Sequence, residues 1–131
     1  AKEQVCIGGS VVDEYIGYVA LSQKDEWVKQ NDATIADRFA VVKEWIEQEE
    51  FMEWVEPRAA CTCFPRIKPE VDVDVEKVYR LMNEKYGTYV GPGHWFEQSK
   101  RYMRIGYGWP LHDELERGLR SISDSVKESL K

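Results

Sequence analysis

Apolar residues recur along this chain with two periods, and the switches between them mark out the elements. After Ser10-Val11-Val12-Asp13, the residues Val12, Ile16 and Val19 follow at helical spacing. Serine there caps an orphan N–H, and the acid meets the positive end of the helix. Ser22-Gln23-Lys24-Asp25 repeats the signal and predicts a second, long helix to about residue 49. Its stripe is Ile35, Phe39, Val42 and Ile46, flanked by Trp27, Val28 and Trp45, while Asp37, Lys43, Glu44 and Glu47 fall mainly outside it.

From there the period shortens to two. Residues 51–55 and 59–67 read as strands around a turn at Glu56-Pro57-Arg58. In the second strand Cys61 and Cys63 alternate with Ala60, Thr62 and Phe64. Pro65 ends or kinks it, at a sheet edge or where the chain leaves the sheet. Asp74 is placed to cap a helix over 75–86, with Val75, Val78 and Met82 on one side and Gly87 as its stop. A strand at 88–90, a turn at Gly91-Pro92-Gly93, a loop at 94–100 and a strand at 101–107 follow. Pro110 suits the first turn of a final helix, whose stripe is Leu111, Leu115, Leu119, Ile122 and Val126. Gly118 inside that helix costs about 1 kcal/mol relative to alanine and marks close packing. The acidic run 47–53 reads as a solvated helix end.

The order α-α-β-β-α-β-β-α predicts an α+β fold: a small, mostly antiparallel sheet covered by helices. Residues 1–9 form an N-terminal extension and 10–131 one domain. Periodicity leaves the strand order open.

The net charge of −6 and a pI near 5.0 argue against a partner bound by phosphate neutralisation, so no nucleic acid is expected. No apolar run approaches a membrane span, and the first residues lack a leader pattern. Three cysteines are an odd number for a disulfide framework, so reduced thiols in a cytoplasmic protein are expected. A metal site could draw on Cys6, Cys61, Cys63, His94 and His112. There is no C-x-x-C pair and no histidine pair four apart, so the C-x-C thiols are expected as small core residues and no metal is expected. No catalytic nucleophile–base pair stands out, and Gly91-Pro92-Gly93 matches no phosphate-loop pattern.

The strand over 101–107 holds the most specific chemistry. Met103, Ile105 and Tyr107 share one face; Tyr102, Arg104 and Gly106 share the other. Arg104 thus stands mid-strand beside a glycine. Two readings follow: a surface arginine paired with an acid, or a fork open to a planar carboxylate. His94, Trp95 and Phe96 form an aromatic loop that lines a pocket mouth or anchors to the surface.

The ordered set of segments resembles a known family. The long helix runs into WIEQEEFMEWVEPRAACTCFPRI, then VDVEKVYRLMNEKYGTYVGPGHWF, then YMRIGYG. This is similar to the C-terminal small domain of class I/II, fold-type-I, pyridoxal-phosphate-dependent aminotransferases, over roughly residues 10 to 128. The matching features are Phe64-Pro65-Arg66, the turn Pro92-Gly93-His94-Trp95-Phe96 and the strand Arg104-Ile105-Gly106-Tyr107. The resemblance implies that Arg104 binds the α-carboxylate of an amino-acid or 2-oxo-acid substrate, with His94 and Phe96 near the site entrance. The family's cofactor lysine, its aspartate on the pyridine nitrogen and its phosphate cup lie upstream of the matching region. Lys24, Lys43 and Lys100 do not stand in that context. The resemblance therefore implies a fragment or truncated form of an aminotransferase, inactive and without bound cofactor on its own. Its partner would be the missing large domain, or another copy meeting it through Val5, Cys6 and Ile7, Trp27 and Trp95. Alternatives are a non-enzymatic small-carboxylate binding module and a protein-interaction domain.

Overall fold

The computed structural model describes residues 10–131, so the extension 1–9 lies outside the described residues, with Val5, Cys6 and Ile7. The chain divides into two compact units, residues 1–33 and 34–131.

In the first unit Ser10 caps helix α1, Val11–Ser22, through its hydroxyl and the Asp13 N–H at 3.4 Å. None of α1 is buried; Val12 and Ile16 of the expected stripe are 66% and 59% exposed. Gln23 leaves helical geometry, and α2 runs Lys24–Gln48 into the second unit.

In the second unit the stripe of α2 faces inward: Val42 and Ile46 are buried, with Ile35, Phe39, Val41 and Trp45 packed against the core. The strands are shorter than alternation predicts. They are β1 (Met52–Glu53), β2 (Thr62–Cys63), β3 (Arg66–Ile67), β4 (Gly91–Pro92) and β5 (Met103–Gly106). The expected strand over 59–67 is two strands with different partners. β2 pairs with β5, whereas β3 pairs with β1. Pro65 stands at the change, because it cannot donate to a ladder. Its carbonyl still accepts the Met103 N–H at 2.9 Å. The three-stranded order is β2-β5-β4, all antiparallel, and an Arg66↔Tyr102 bridge runs the β1-β3 pair into it.

The expected turn at 91–93 is also corrected. Gly91–Pro92 is itself the edge strand, and residues 88–90 are outside any strand. Proline is tolerated there because an edge leaves its missing donor unneeded.

Asp74 caps α3, Val75–Arg80, by accepting the Lys77 N–H at 3.1 Å. The helix widens into a π turn at Leu81–Lys85, where the Tyr86 N–H reaches back to the Leu81 carbonyl at 3.1 Å. Gly87, at φ +63°, then turns the chain. Pro110 lies just outside the last helix, α4, His112–Lys127, rather than in its first turn. Leu111 is the cap residue and 62% exposed, not part of the stripe; its N–H bonds the Glu114 carboxylate at 2.9 Å. Leu115, Leu119, Ile122 and Val126 are buried as expected. Gly118 marks no close packing, for only the Thr88 methyl, at 3.9 Å, would meet a side chain there.

This is an α+β fold. The inner sheet face, with Met52, Cys63, Ile67, Met103, Ile105 and Tyr107, shares one core with α2, α3 and α4. The outer face of the sheet holds Glu53, Phe64, Arg66, Tyr102, Arg104 and Gly106, none of them fully buried.

Candidate functional site

Strand alternation sorts β5 as expected. Met103, Ile105 and Tyr107 are at most 5% exposed, and Arg104 and Gly106 stand open on the other face. β4 holds one side of Arg104 through the pair Gly91↔Arg104, and β2 continues the ladder through Thr62↔Gly106. Among the described residues nothing would meet a Cβ at Gly106 within 4 Å, so the same face is open two residues along the strand from Arg104.

After β4 the chain coils into a short 3-10 helix, Gly93–Phe96, which ends at Glu97 in the left-handed region with φ 57°. This single turn swings Phe96 back over the sheet. Its ring lies 5.2 Å from the Arg104 Cζ. Phe96 meets Phe64 edge to face at 5.5 Å, and Phe64 stacks on Tyr102 at 5.2 Å. The Tyr102 ring lies 5.4 Å from the Arg66 Cζ, and its hydroxyl accepts from Arg66 Nη1 at 2.9 Å. Arg66 Nε donates to Glu53 Oε1 at 2.6 Å. The outer face is therefore a continuous ladder of rings with a guanidinium at each end.

The two guanidiniums differ in partners. Glu53 holds Arg66 above the usual arginine range, chiefly by their hydrogen bond. The Arg104 side chain makes no hydrogen bond or ion pair among the described residues; its contact is the Phe96 face. Among the described residues no acid pairs with Arg104. An exposed fork with its donors free can receive a planar oxyanion through two parallel bonds.

Of the residues singled out with it, Phe96 comes to Arg104 and His94 does not. The exposed His94 ring packs against Trp95 at 6.3 Å. Sequence reasoning missed Phe64, Tyr102 and the Glu53–Arg66 pair as one assembly. Alternation set Phe64 on the face opposite Cys61 and Cys63 and Tyr102 on that of Arg104, but the acidic run around Glu53 reads as solvated. In fact Glu53 pairs with Arg66, and Glu49 accepts from the Ser123 hydroxyl.

The metal candidates do not converge. Among the described residues no group of three or more His, Cys, Asp or Glu could hold an ion. Cys63 is buried, which pushes its thiol up to about 12, whereas Cys61 is exposed rather than a core residue. His112 sits between Asp37 at 3.3 Å and Glu116 at 3.5 Å. Cys6 lies outside the described residues. No described helix is long and apolar enough to cross a membrane.

No family model and no curated protein sequence matches the chain. Solved structures do. A PLP-dependent aminotransferase from Streptococcus suis 89-1591 superposes over 99% of this chain and 34% of its own, with TM-score 0.83 and 25% identity. The PLP-dependent cyclase OrfR matches 97% of this chain and 34% of its own, with TM-score 0.78 and 21% identity. The multiple substrate aminotransferase from Thermococcus profundus matches 85% and 28%, with TM-score 0.70 and 20% identity. The chain spans about a third of the length of these structures. What they share with it is a small domain.

The Streptococcus suis aminotransferase and the cyclase OrfR are pyridoxal-phosphate-dependent. A cofactor lysine needs a desolvated setting, and no described lysine is buried. Lys24, Lys43 and Lys100 are in surface ion pairs with Asp25, Glu56 and Glu76.

Proposed function

We propose that this chain, which has the fold of an aminotransferase small domain, supplies the substrate-carboxylate wall of a PLP-dependent amino-acid aminotransferase. The observation that supports this best is Arg104: mid-strand, exposed, faced by a ring, and without an acid among the described residues. Its fork receives the α-carboxylate of an amino acid or 2-oxo acid, and the open space at Gly106 admits the ligand. Holding that carboxylate fixes the orientation of the carbon beside it, which is a proximity effect. The cofactor, when bound, supplies the electron sink for amino-group transfer. Because no described lysine suits it, the cofactor site belongs to a partner domain, and the chain alone is inert. The soluble cytoplasm is the compartment that accords with reduced thiols.

The reading is tested on the 131-residue chain. Acetate and L-alanine titrated into arginine-labelled protein should shift the Arg104 Nε–Hε resonance, and Arg104→Ala should abolish saturable binding. Purified chain with added pyridoxal phosphate should give no transamination. Turnover by the chain alone, or carboxylate binding indifferent to Arg104, would sink the proposal.

A second reading, association with a partner domain or another copy, draws support from apolar surface. Val11, Tyr15, Tyr18 and Leu21 of α1 are each at least 67% exposed, and so are Trp95 and Trp109. Large exposed apolar patches favour association. Light scattering should then show self-association at modest concentration, and a strictly monomeric species counts against the self-associating form.

A further inference from the structure

We propose that Phe96 is a positioning residue: its ring holds the Arg104 guanidinium flat and leaves all of its N–H donors to the ligand. This rests on the carboxylate reading of Arg104 but concerns a different residue and a different interaction.

The geometry on the outer face supports it. Arginine is a long side chain, and a free one loses much rotamer entropy when a ligand fixes it. A protein can restrain it in advance in two ways. An acid does so but occupies the donors, as Glu53 and the Tyr102 hydroxyl do for Arg66. A ring does so through the guanidinium face and leaves the edge free. Arg104 has the second arrangement, with Phe96 at 5.2 Å.

The ring is itself held. Phe64 meets it at 80° and is stacked on Tyr102, which is anchored to the Arg66–Glu53 pair. Gly91 completes the arrangement from below. A Cβ there would come 3.3 Å from both the Arg104 Cβ and the Phe96 Cε2. The absence of a side chain at position 91 thus lets the arginine stem and the ring lie side by side. Phe96 is 38% exposed, so its contact with Arg104 contributes little to the core and much to the arrangement of the face.

The test uses the 131-residue chain with labelled arginine, comparing wild type, Phe96→Leu and Phe96→Trp. Arg104→Lys identifies the resonance. Two readouts need no ligand: the ring-current shift of the Arg104 side-chain protons and the rate of guanidinium rotation about Cζ–Nε. In the wild type the protons should lie upfield and rotation should be slowed. Phe96→Leu should remove the shift and speed rotation, and Phe96→Trp should restore both. Acetate should bind Phe96→Leu about three-fold more weakly, the factor expected of an exposed cation–π contact. A merely structural Phe96 would lower the urea midpoint and leave the Arg104 signals unmoved, which overturns the proposal. If the shift and rotation follow Phe96 while acetate fails to bind even the wild type, the restraint stands and the carboxylate reading falls.

Discussion

Gly93→Ala tests how the aromatic turn is held in place. Gly93 is buried at the start of the 3-10 helix. A Cβ there would lie 2.1 Å from the Ser99 carbonyl oxygen and 2.9 Å from both the Cβ and the carbonyl oxygen of Tyr102. Close carbon–oxygen contacts in proteins are about 3.3 Å, so the Ser99 backbone must retreat by about an ångström. It is not free to do so. The Tyr102 N–H bonds the Ser99 carbonyl at 2.9 Å, and the Gly93 N–H bonds the Tyr102 carbonyl at 2.8 Å. The Gln98 N–H bonds the Gly93 carbonyl at 3.0 Å, and the Tyr79 hydroxyl bonds the Tyr102 carbonyl at 2.8 Å. Relief therefore breaks about two hydrogen bonds, at about 1 kcal/mol each, and adds overpacking of about 1–3 kcal/mol. The expected destabilisation is about 3–5 kcal/mol, a Tm drop of about 10–20 °C for a domain of this size. Gly87→Ala is the control. Gly87 has φ +63° but nothing within 4 Å of a new Cβ, so only the backbone penalty applies, about 1–2 kcal/mol. Urea unfolding followed by circular dichroism gives both values. If Gly93→Ala costs no more than Gly87→Ala, the close-packed turn is wrong.

Three further outcomes are expected. Ser125 is 0% exposed and its hydroxyl has no hydrogen-bond partner among the described residues, so Ser125→Ala should stabilise the chain by about 1 kcal/mol in the same assay; a loss of stability would mean that the hydroxyl is satisfied. Ala60 holds φ 134° while its carbonyl accepts the Tyr107 hydroxyl at 2.9 Å, so Ala60→Gly should raise the urea midpoint by relieving about 1–3 kcal/mol of strain against a smaller entropic cost, and a lowered midpoint would contradict it. Burial raises Cys63 and Tyr79 each to about 12, from 9.0 and 10.0. Both ionise later in the folded chain than in the unfolded one, so stability is full below about pH 9 and declines toward pH 12 as the unfolded chain gives up protons first. At pH 8, peptide mapping after alkylation should find Cys61 modified and Cys63 protected; equal modification would refute the burial.

The helical half of the fold was legible because its signals are local. Ser10 and Asp74 cap as their side chains dictate, and the four-three-four spacing in α2 points Val42 and Ile46 inward. The sheet was less so. A proline in a strand announces a disturbance but not its form, and only tertiary pairing decides that β2 and β3 take different neighbours across Pro65. The π turn after α3 has no sequence signature comparable to a cap. Arg104 was legible from alternation, whereas its setting was not. Glu53 meets Arg66 across thirteen residues of sequence, and Phe64 meets Phe96 from a different strand segment. Periodicity gives the face on which a residue lies and is silent on which neighbours share it.

The gap at Gly91 bears on how such a chain can drift in sequence. Any side chain at position 91 would press on both the Arg104 stem and the Phe96 ring. A methyl group there would require the Arg104 stem and the Phe96 ring each to give by a few tenths of an ångström. Positions 91, 96 and 104 should therefore vary as a set among descendants of this domain, even where the sheet core beneath them is freely repacked. A triplet of glycine, aromatic and arginine at this spacing is then a better search pattern for the site than any of its members alone.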